Sequence, residues 1–171
     1  MTVITGSLLS RISVVVLDID PLIDFYRWTF GWEVVIDAEY GGDADFPTIA
    51  GPPEQATFRI VYLSDDQATP RIGFLAYTDP PFDPAPRPPR TALGDRDVIL
   101  AVSTDDIAGV VERAAAAGAE ILRGPSVREY RSLDGSSVQR VYMASFFDPD
   151  GHYVEVNQEL DERPRSPRLD S

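Results

Sequence analysis

The chain repeats itself, and the repeat limits what it can fold into. Gly31-Trp32-Glu33-Val34-Val35 matches Gly118-Ala119-Glu120-Ile121-Leu122 at an offset of 87 residues. The same offset places Asp18 on Asp105 and Ile12 on Ile99. Self-similarity at a fixed period marks a duplicated supersecondary unit. In the first copy, residues 12–17 form a run rich in β-branched side chains and read as a strand. Asp18 or Asp20 can cap the next helix, with Pro21 at its first position. Leu22, Phe25, Tyr26 and Phe30 follow at helical spacing, and Gly31 ends the helix. Residues 32–36, 57–63 and 71–77 read as strands, with a long Gly/Pro-rich loop over 41–53.

The second copy keeps this order. Residues 98–102 form a strand, and Thr104 or Asp105 can cap a helix whose apolar face holds Ile107, Val110, Val111 and Ala114. Gly118 closes it, 119–122 is extended, 123–137 reads as irregular, and 138–147 and 153–158 are the last strands. The fold class expected is α+β: two fused βαβββ modules whose sheets curve together around a cleft. The expected organisation is an N-terminal extension (1–10), a first module (11–77), a Pro-rich linker (78–96), a second module (97–158) and a mobile charged tail (159–171). One module alone leaves a sheet face uncovered, whereas two can enclose a ligand site.

Composition removes several function classes. The net charge is −13, which argues against nucleic acid and against an anionic membrane surface as partners. No apolar run approaches the roughly 20 residues of a membrane helix, and the apolar start is too short for a signal peptide. The expected setting is cytoplasmic. There is no cysteine, so disulfides and thiol catalysis are excluded. All 15 basic residues are Arg, so Schiff-base chemistry through Lys is excluded as well. Such an acidic chain could favour a cationic ligand, although net charge says little about a cleft.

The segment Phe146-Phe147-Asp148-Pro149-Asp150-Gly151-His152-Tyr153-Val154-Glu155-Val156 is the most informative locally. Asp-Pro-Asp-Gly is turn chemistry, and the run after it alternates. Tyr153, Glu155 and Asn157 therefore share one face, and Val154 and Val156 the other. A carboxylate in such a strand either faces water or has a function, because burying an unpaired charge is costly.

Three stretches together resemble the vicinal oxygen chelate superfamily of glyoxalases, extradiol dioxygenases, fosfomycin-resistance enzymes and bleomycin-binding resistance proteins. They are residues 14–26, with their strand, Asp turn and Phe-Tyr helix; Ser103-Thr104-Asp105-Asp106-Ile107 leading to Ala116-Ala117-Gly118-Ala119-Glu120-Ile121; and the Asp-Pro-Asp-Gly segment. The resemblance spans residues 11–158. It implies a divalent ion in metal-using members, held by a residue opening the first strand, one opening the strand after the linker, and a carboxylate on the last strand. Here those positions correspond to Arg11, to Val98 or Ile99, and to Glu155. A further acidic ligand used by some members would fall near Phe74 or Leu75. Only Glu155 can bind a metal. The single histidine, His152, sits beside the turn and reads as a solvated or hydrogen-bonded surface residue. The Asp-rich stretches 43–45 and 65–66 lack an ordered calcium-loop spacing and read as turns. No cofactor is expected, and a divalent metal is disfavoured.

The resemblance therefore implies a cleft that binds a small organic molecule, of the sequestering or resistance type. One alternative is a metal-independent isomerase, epimerase or cyclase with Glu155 as acid/base, Arg11 steadying an anion, and Tyr153 or Tyr142 giving a proton. Another is a divalent-metal lyase or dioxygenase with atypical ligands. Arg11 and Glu155 could form an ion pair where other members hold a metal. The expected ligand wall is Ser13, Val15, Leu100, Val102, Tyr153, Glu155 and Asn157, with Trp32, Tyr62 and Tyr77 as stacking surface. A homodimer is expected, as in most two-module members.

Overall fold

Both copies of the repeat fold into the same order of elements. The structure is a computed structural model and describes residues 11–41, 56–66, 71–79, 81, 90–95, 97–131 and 135–160. The N-terminal extension, nearly all of the 41–53 loop with its Asp-rich stretch 43–45, most of the Pro-rich linker and the tail from Asp161 lie outside the described residues. The chain divides after Pro88 into two units.

The first unit contains β1 (Ile12–Val15), α1 (Asp20–Phe30), β2 (Glu33–Tyr40), β3 (Thr57–Ser64) and β4 (Ile72–Asp79). The sheet order is β1-β4-β3-β2, with β1 parallel to β4 and the other pairs antiparallel. The second unit contains β5 (Ile99–Ser103), α2 (Ile107–Ala116), β6 (Glu120–Arg131), β7 (Val138–Phe147) and β8 (Tyr153–Glu159). Its order, β5-β8-β7-β6, is that of the first sheet, again with the outer β5 parallel to its neighbour. The fold is thus α+β, with two four-stranded mixed sheets and two helices. Among the described residues no helix is long and apolar enough to cross a membrane.

Each helix covers one face of its own sheet. In the first unit Leu22, Phe25 and Tyr26 of α1 are buried together with Val61, Leu63 and Phe74, and the Tyr26 ring lies 5.4 Å from Phe74. In the second, Ile107, Val110 and Ala114 of α2 are buried with Ala144, Phe146, Val154 and Val156. Each such large side chain contributes roughly 1.5–3 kcal/mol on burial. Gly31 ends α1 at φ 72°, a left-handed turn that favours glycine, and its N–H donates to the Arg27 carbonyl at 2.9 Å.

The helix starts differ from the expected caps. The cap position of α1 is Ile19, which offers no side-chain bond. Asp18 Oδ1 instead accepts from the Asp20 N–H at 3.2 Å, while the Asp20 carboxylate is drawn to Arg59. In α2 the cap is Asp106, whose Oδ1 accepts from the Gly109 N–H at 3.0 Å. Thr104 Oγ1 holds the Asp106 N–H at 3.1 Å, a local turn that delays the helix past Asp105.

Arg59 ties three elements together. Its Nε and Nη2 donate to the two carboxylate oxygens of Asp37 on β2, both at 2.8 Å. Its Nη1 donates to Asp20 Oδ1 at the start of α1, at 2.6 Å. The fork suits a bidentate carboxylate. Hydrogen bonding from Arg59, opposed by some desolvation, holds the Asp37 carboxyl below its ordinary value. Stability from this pair is therefore complete above the unfolded aspartate pKa of about 3.9 and disappears as pH falls through the lower folded value. Both carboxylates are substantially exposed, so screening limits the contribution to about 1 kcal/mol or less. Urea denaturation of the parent and of Asp37→Asn checks this. The stability gap is expected to be full near pH 6 and to shrink below about pH 4; a gap that stays constant to pH 2.5 contradicts it.

Candidate functional site

The turn between β7 and β8 is built around one buried carboxylate. Asp148 is 4% exposed, and its Oδ1 accepts from the backbone N–H groups of Asp150 (3.0 Å) and His152 (2.8 Å). The Asp148 N–H donates to the His152 carbonyl and the Gly151 N–H to the Asp148 carbonyl, both at 2.9 Å. Gly151 takes φ 86°, which a side chain would resist. His152 belongs to this turn, with Nδ1 3.1 Å from Asp148 Oδ2.

From that turn β8 runs with strict alternation. Val154 and Val156 are fully buried toward α2, whereas Tyr153, Glu155 and Asn157 are half-buried on the far face, away from the helix. The register sets Tyr153 between Ile99 and Phe147, Glu155 between Ala101 and Ser145, and Asn157 between Ser103 and Met143. Asn157 Nδ2 donates to Glu155 Oε1 at 3.0 Å.

The largest departure from the sequence reading is β6. Residues 123–131, read as irregular, continue the strand to Arg131, with register shifts around Gly124 and Pro125. A bulge accommodates Pro, which cannot donate to the ladder. Beyond the bulge Ser126, Arg128 and Tyr130 alternate onto the far face, opposite Met143, Val141 and Gln139, while Arg123 lies opposite Ser145. A cavity of about 280 Å³ results, lined by Arg123, Ser126, Arg128, Tyr130, Met143, Ala144, Ser145, Tyr153 and Glu155. Tyr130 Oη donates to Met143 Sδ at 2.8 Å. Sequence reasoning missed the β6 residues because Gly-Pro hides the strand; the signal available was the alternation from Ser126 to Tyr130 after it.

Other expected wall residues divide between faces. Leu100 and Val102 pair with Val154 and Val156, on the helix-covered face, so they do not line the Glu155 face. Ile99, Ala101 and Ser103 stand there instead. Tyr142 lies opposite Val127 and Gln158, on the face away from Glu155. In the first unit Ser13, Val15, Tyr62 and Tyr77 share the far face of their sheet, with Phe58, Ile60 and Leu75 between. Trp32 is not among them: it stacks on Tyr26 at 5.5 Å and lies 5.3 Å from Phe30, packed with α1.

Arg11 and Glu155 belong to different units, and each has a partner in its own. Arg11 lies over the Tyr62 ring, 4.1 Å from its centroid, donates to Tyr62 Oη at 2.7 Å, and reaches Ser13 Oγ at 3.3 Å. Gly73 sits between Ser13 and Tyr62 in the register. A methyl group there would stand 2.5 Å from Ser13 Oγ and 3.0 Å from two Tyr62 ring carbons.

The family's metal does not fit these residues. A guanidinium at position 11 and aliphatic side chains at 98 and 99 offer no donor, and Glu155 is a single carboxylate bonded by Asn157. Among the described residues no group of three His, Cys, Asp or Glu could hold an ion. Asp65 and Asp66 hold Arg71 instead, at 2.7 and 3.3 Å.

Comparison with known proteins agrees with this fold. The chain belongs to the Glyoxalase/Bleomycin resistance protein/Dioxygenase superfamily, whose sequence profile matches residues 8–156. No significant match is found among curated proteins. A glyoxalase family protein from Bacillus cereus superimposes with a TM-score of 0.70 at 20% identity, covering 94% of this chain and 100% of that one. The trypanothione-dependent glyoxalase I of Leishmania major gives 0.54 at 16% identity, covering 90% and 87%. A family enzyme from Burkholderia phytofirmans gives 0.51 at 18% identity, covering 88% and 98%. At such identities the likeness concerns the fold.

Gly73→Ala is expected to force Ser13 and Tyr62 apart and to destabilise the chain by about 1–3 kcal/mol, the range of overpacked sites. Chemical denaturation measures this, and unchanged stability would contradict the close approach.

Proposed function

We propose that the chain binds a small organic molecule in the cavity on the far face of its second sheet, as a sequestering protein does. The observation that carries the reading is the lining itself. Aromatic and thioether surface from Tyr130, Tyr153 and Met143 is combined with a few polar groups from Arg123, Arg128, Ser126, Ser145 and Glu155. Binding sites combine apolar walls with sparse, placed polar groups in this way. The volume, about 280 Å³, lies just under the roughly 300–1,000 Å³ of sites for drug-sized ligands. The ligand is accordingly small. Without the family's donor set, metal-assisted lyase or dioxygenase chemistry has no support from these residues.

A second reading, metal-independent proton transfer, is favoured by one detail. Among the described residues Glu155 Oε2 has no hydrogen-bond partner, and Tyr153 lines the same cavity. A carboxylate left available in a cavity can serve as base.

A thermal-shift screen of small organic molecules, followed by mass spectrometry of the recovered compound, separates these readings. At a hundredfold excess over Kd, binding contributes about 2.7 kcal/mol, which for a chain of this size raises Tm by about 5 °C or more. Ligand recovered unchanged supports sequestration, and a converted product supports proton transfer. The shift is expected to vanish in a folded Ser126→Trp variant, whose indole fills the cavity. A shift that survives that substitution, or no stabilising compound at all, contradicts the cavity as the site.

A further inference from the structure

Among the described residues, at least half of the arginines hold a carboxylate. Arg27, Arg59, Arg71, Arg90 and Arg113 each hold a carboxylate: Glu33, Asp37 with Asp20, Asp65 with Asp66, Asp97, and Asp106 respectively. With 28 acidic residues against 15 arginines, a carboxylate is the expected neighbour of any guanidinium. Arg123 and Arg128 depart from this, as do Arg11, which lies over Tyr62, and Arg131 at the end of β6. Among the described residues neither the Arg123 nor the Arg128 guanidinium makes a hydrogen bond or an ion pair, and both line the cavity on β6. Glu155 lines the same cavity from β8, two strands away, and its bond comes from Asn157 rather than from either arginine. The cavity therefore has a cationic β6 wall and an anionic β8 wall, with the Tyr130 and Tyr153 rings and Met143 also lining it.

We infer that the cavity takes a small organic anion, its acidic group on the β6 arginines and its apolar ring against Tyr130, Met143 and Tyr153. The inference rests on the proposed binding function and names the charge class of the ligand. Guanidinium groups suit carboxylate and phosphate oxygens geometrically, and an unpaired one presents its donors without first breaking an internal ion pair. The local charge at β6 opposes the net charge of −13, so the attraction is short-ranged and falls as salt screens it. Glu155 acts in the opposite sense, since its carboxylate repels an anion and so keeps the acidic group toward β6.

Three probes of one shape test this: 3-phenylpropionate, 3-phenylpropanol and 3-phenylpropylamine, titrated calorimetrically into the full chain. The acid is expected to bind at least tenfold more tightly than the alcohol, and the amine more weakly still. The double variant Arg123→Gln/Arg128→Gln is expected to lower affinity for the acid at least tenfold while leaving the alcohol within about threefold. Glu155→Gln is expected to raise affinity for the acid two- to threefold, a change that lost packing would not produce. Raising salt from 50 to 500 mM is expected to weaken the acid alone. Equal affinity for all three probes, abolished by Ser126→Trp, overturns the anion preference and leaves the proposed binding function standing. Failure of all three to bind overturns the anion inference, and the wider screen then decides the binding function separately. Unchanged acid affinity in the double arginine variant also overturns it, with circular dichroism confirming that the variant is folded.

Discussion

The site depends on how β8 leaves its turn. Asp148 is buried, and its carboxylate gathers the backbone N–H groups of Asp150 and His152. That arrangement fixes where β8 begins and therefore which side chains face α2. Because side chains alternate with a period of two, a slip of one residue would exchange the faces. Glu155 would then lie under α2 among Ile107, Val110 and Ala114, at the cost of burying an unpaired carboxylate, and Val154 and Val156 would be exposed. The core under the helix and the polar face opposite are two consequences of one register.

The duplicated architecture has diverged on its far faces. The first sheet carries an aromatic and aliphatic surface, with Phe58, Ile60 and Leu75 packed by Tyr40, Tyr62 and Tyr77, and Arg11 laid over Tyr62. The second carries charge: Glu155 on β8 and the arginines of β6. Strand order is the same in both, so the difference lies in the side chains placed on equivalent scaffolds. The fold supplies two helix-backed sheets, and chemistry is decided by what alternates onto the other side.

Much of the architecture was legible because it rests on local physics. Gly31 and Gly118 both take positive φ at the ends of their helices, and β2 and β6 begin 87 residues apart, at Glu33 and Glu120. The alternation of Tyr153, Glu155 and Asn157 could be read directly, since its two faces differ in polarity. Leu100 and Val102 could not be assigned that way. The strand Ile-Leu-Ala-Val-Ser is apolar on both faces, and only its pairing with β8 reveals which residues join Glu155. The cap of α2 slipped by one residue because Thr104, Asp105 and Asp106 are all competent, and the Thr104 turn decides among them. Trp32 was drawn to Tyr26 by a contact made in the fold rather than in the strand pattern. The Gly124-Pro125 bulge concealed half of the cavity, since a breaker pair inside a strand looks like its end.

The central claim is that the far face of the second sheet receives the ligand. Intermolecular nuclear Overhauser effects from the ring protons of bound 3-phenylpropionate test it most directly. The account predicts effects to the Tyr130 and Tyr153 rings and to the Met143 methyl group. Effects confined to Tyr62 and Tyr77 of the first sheet, with none to Met143, would contradict it.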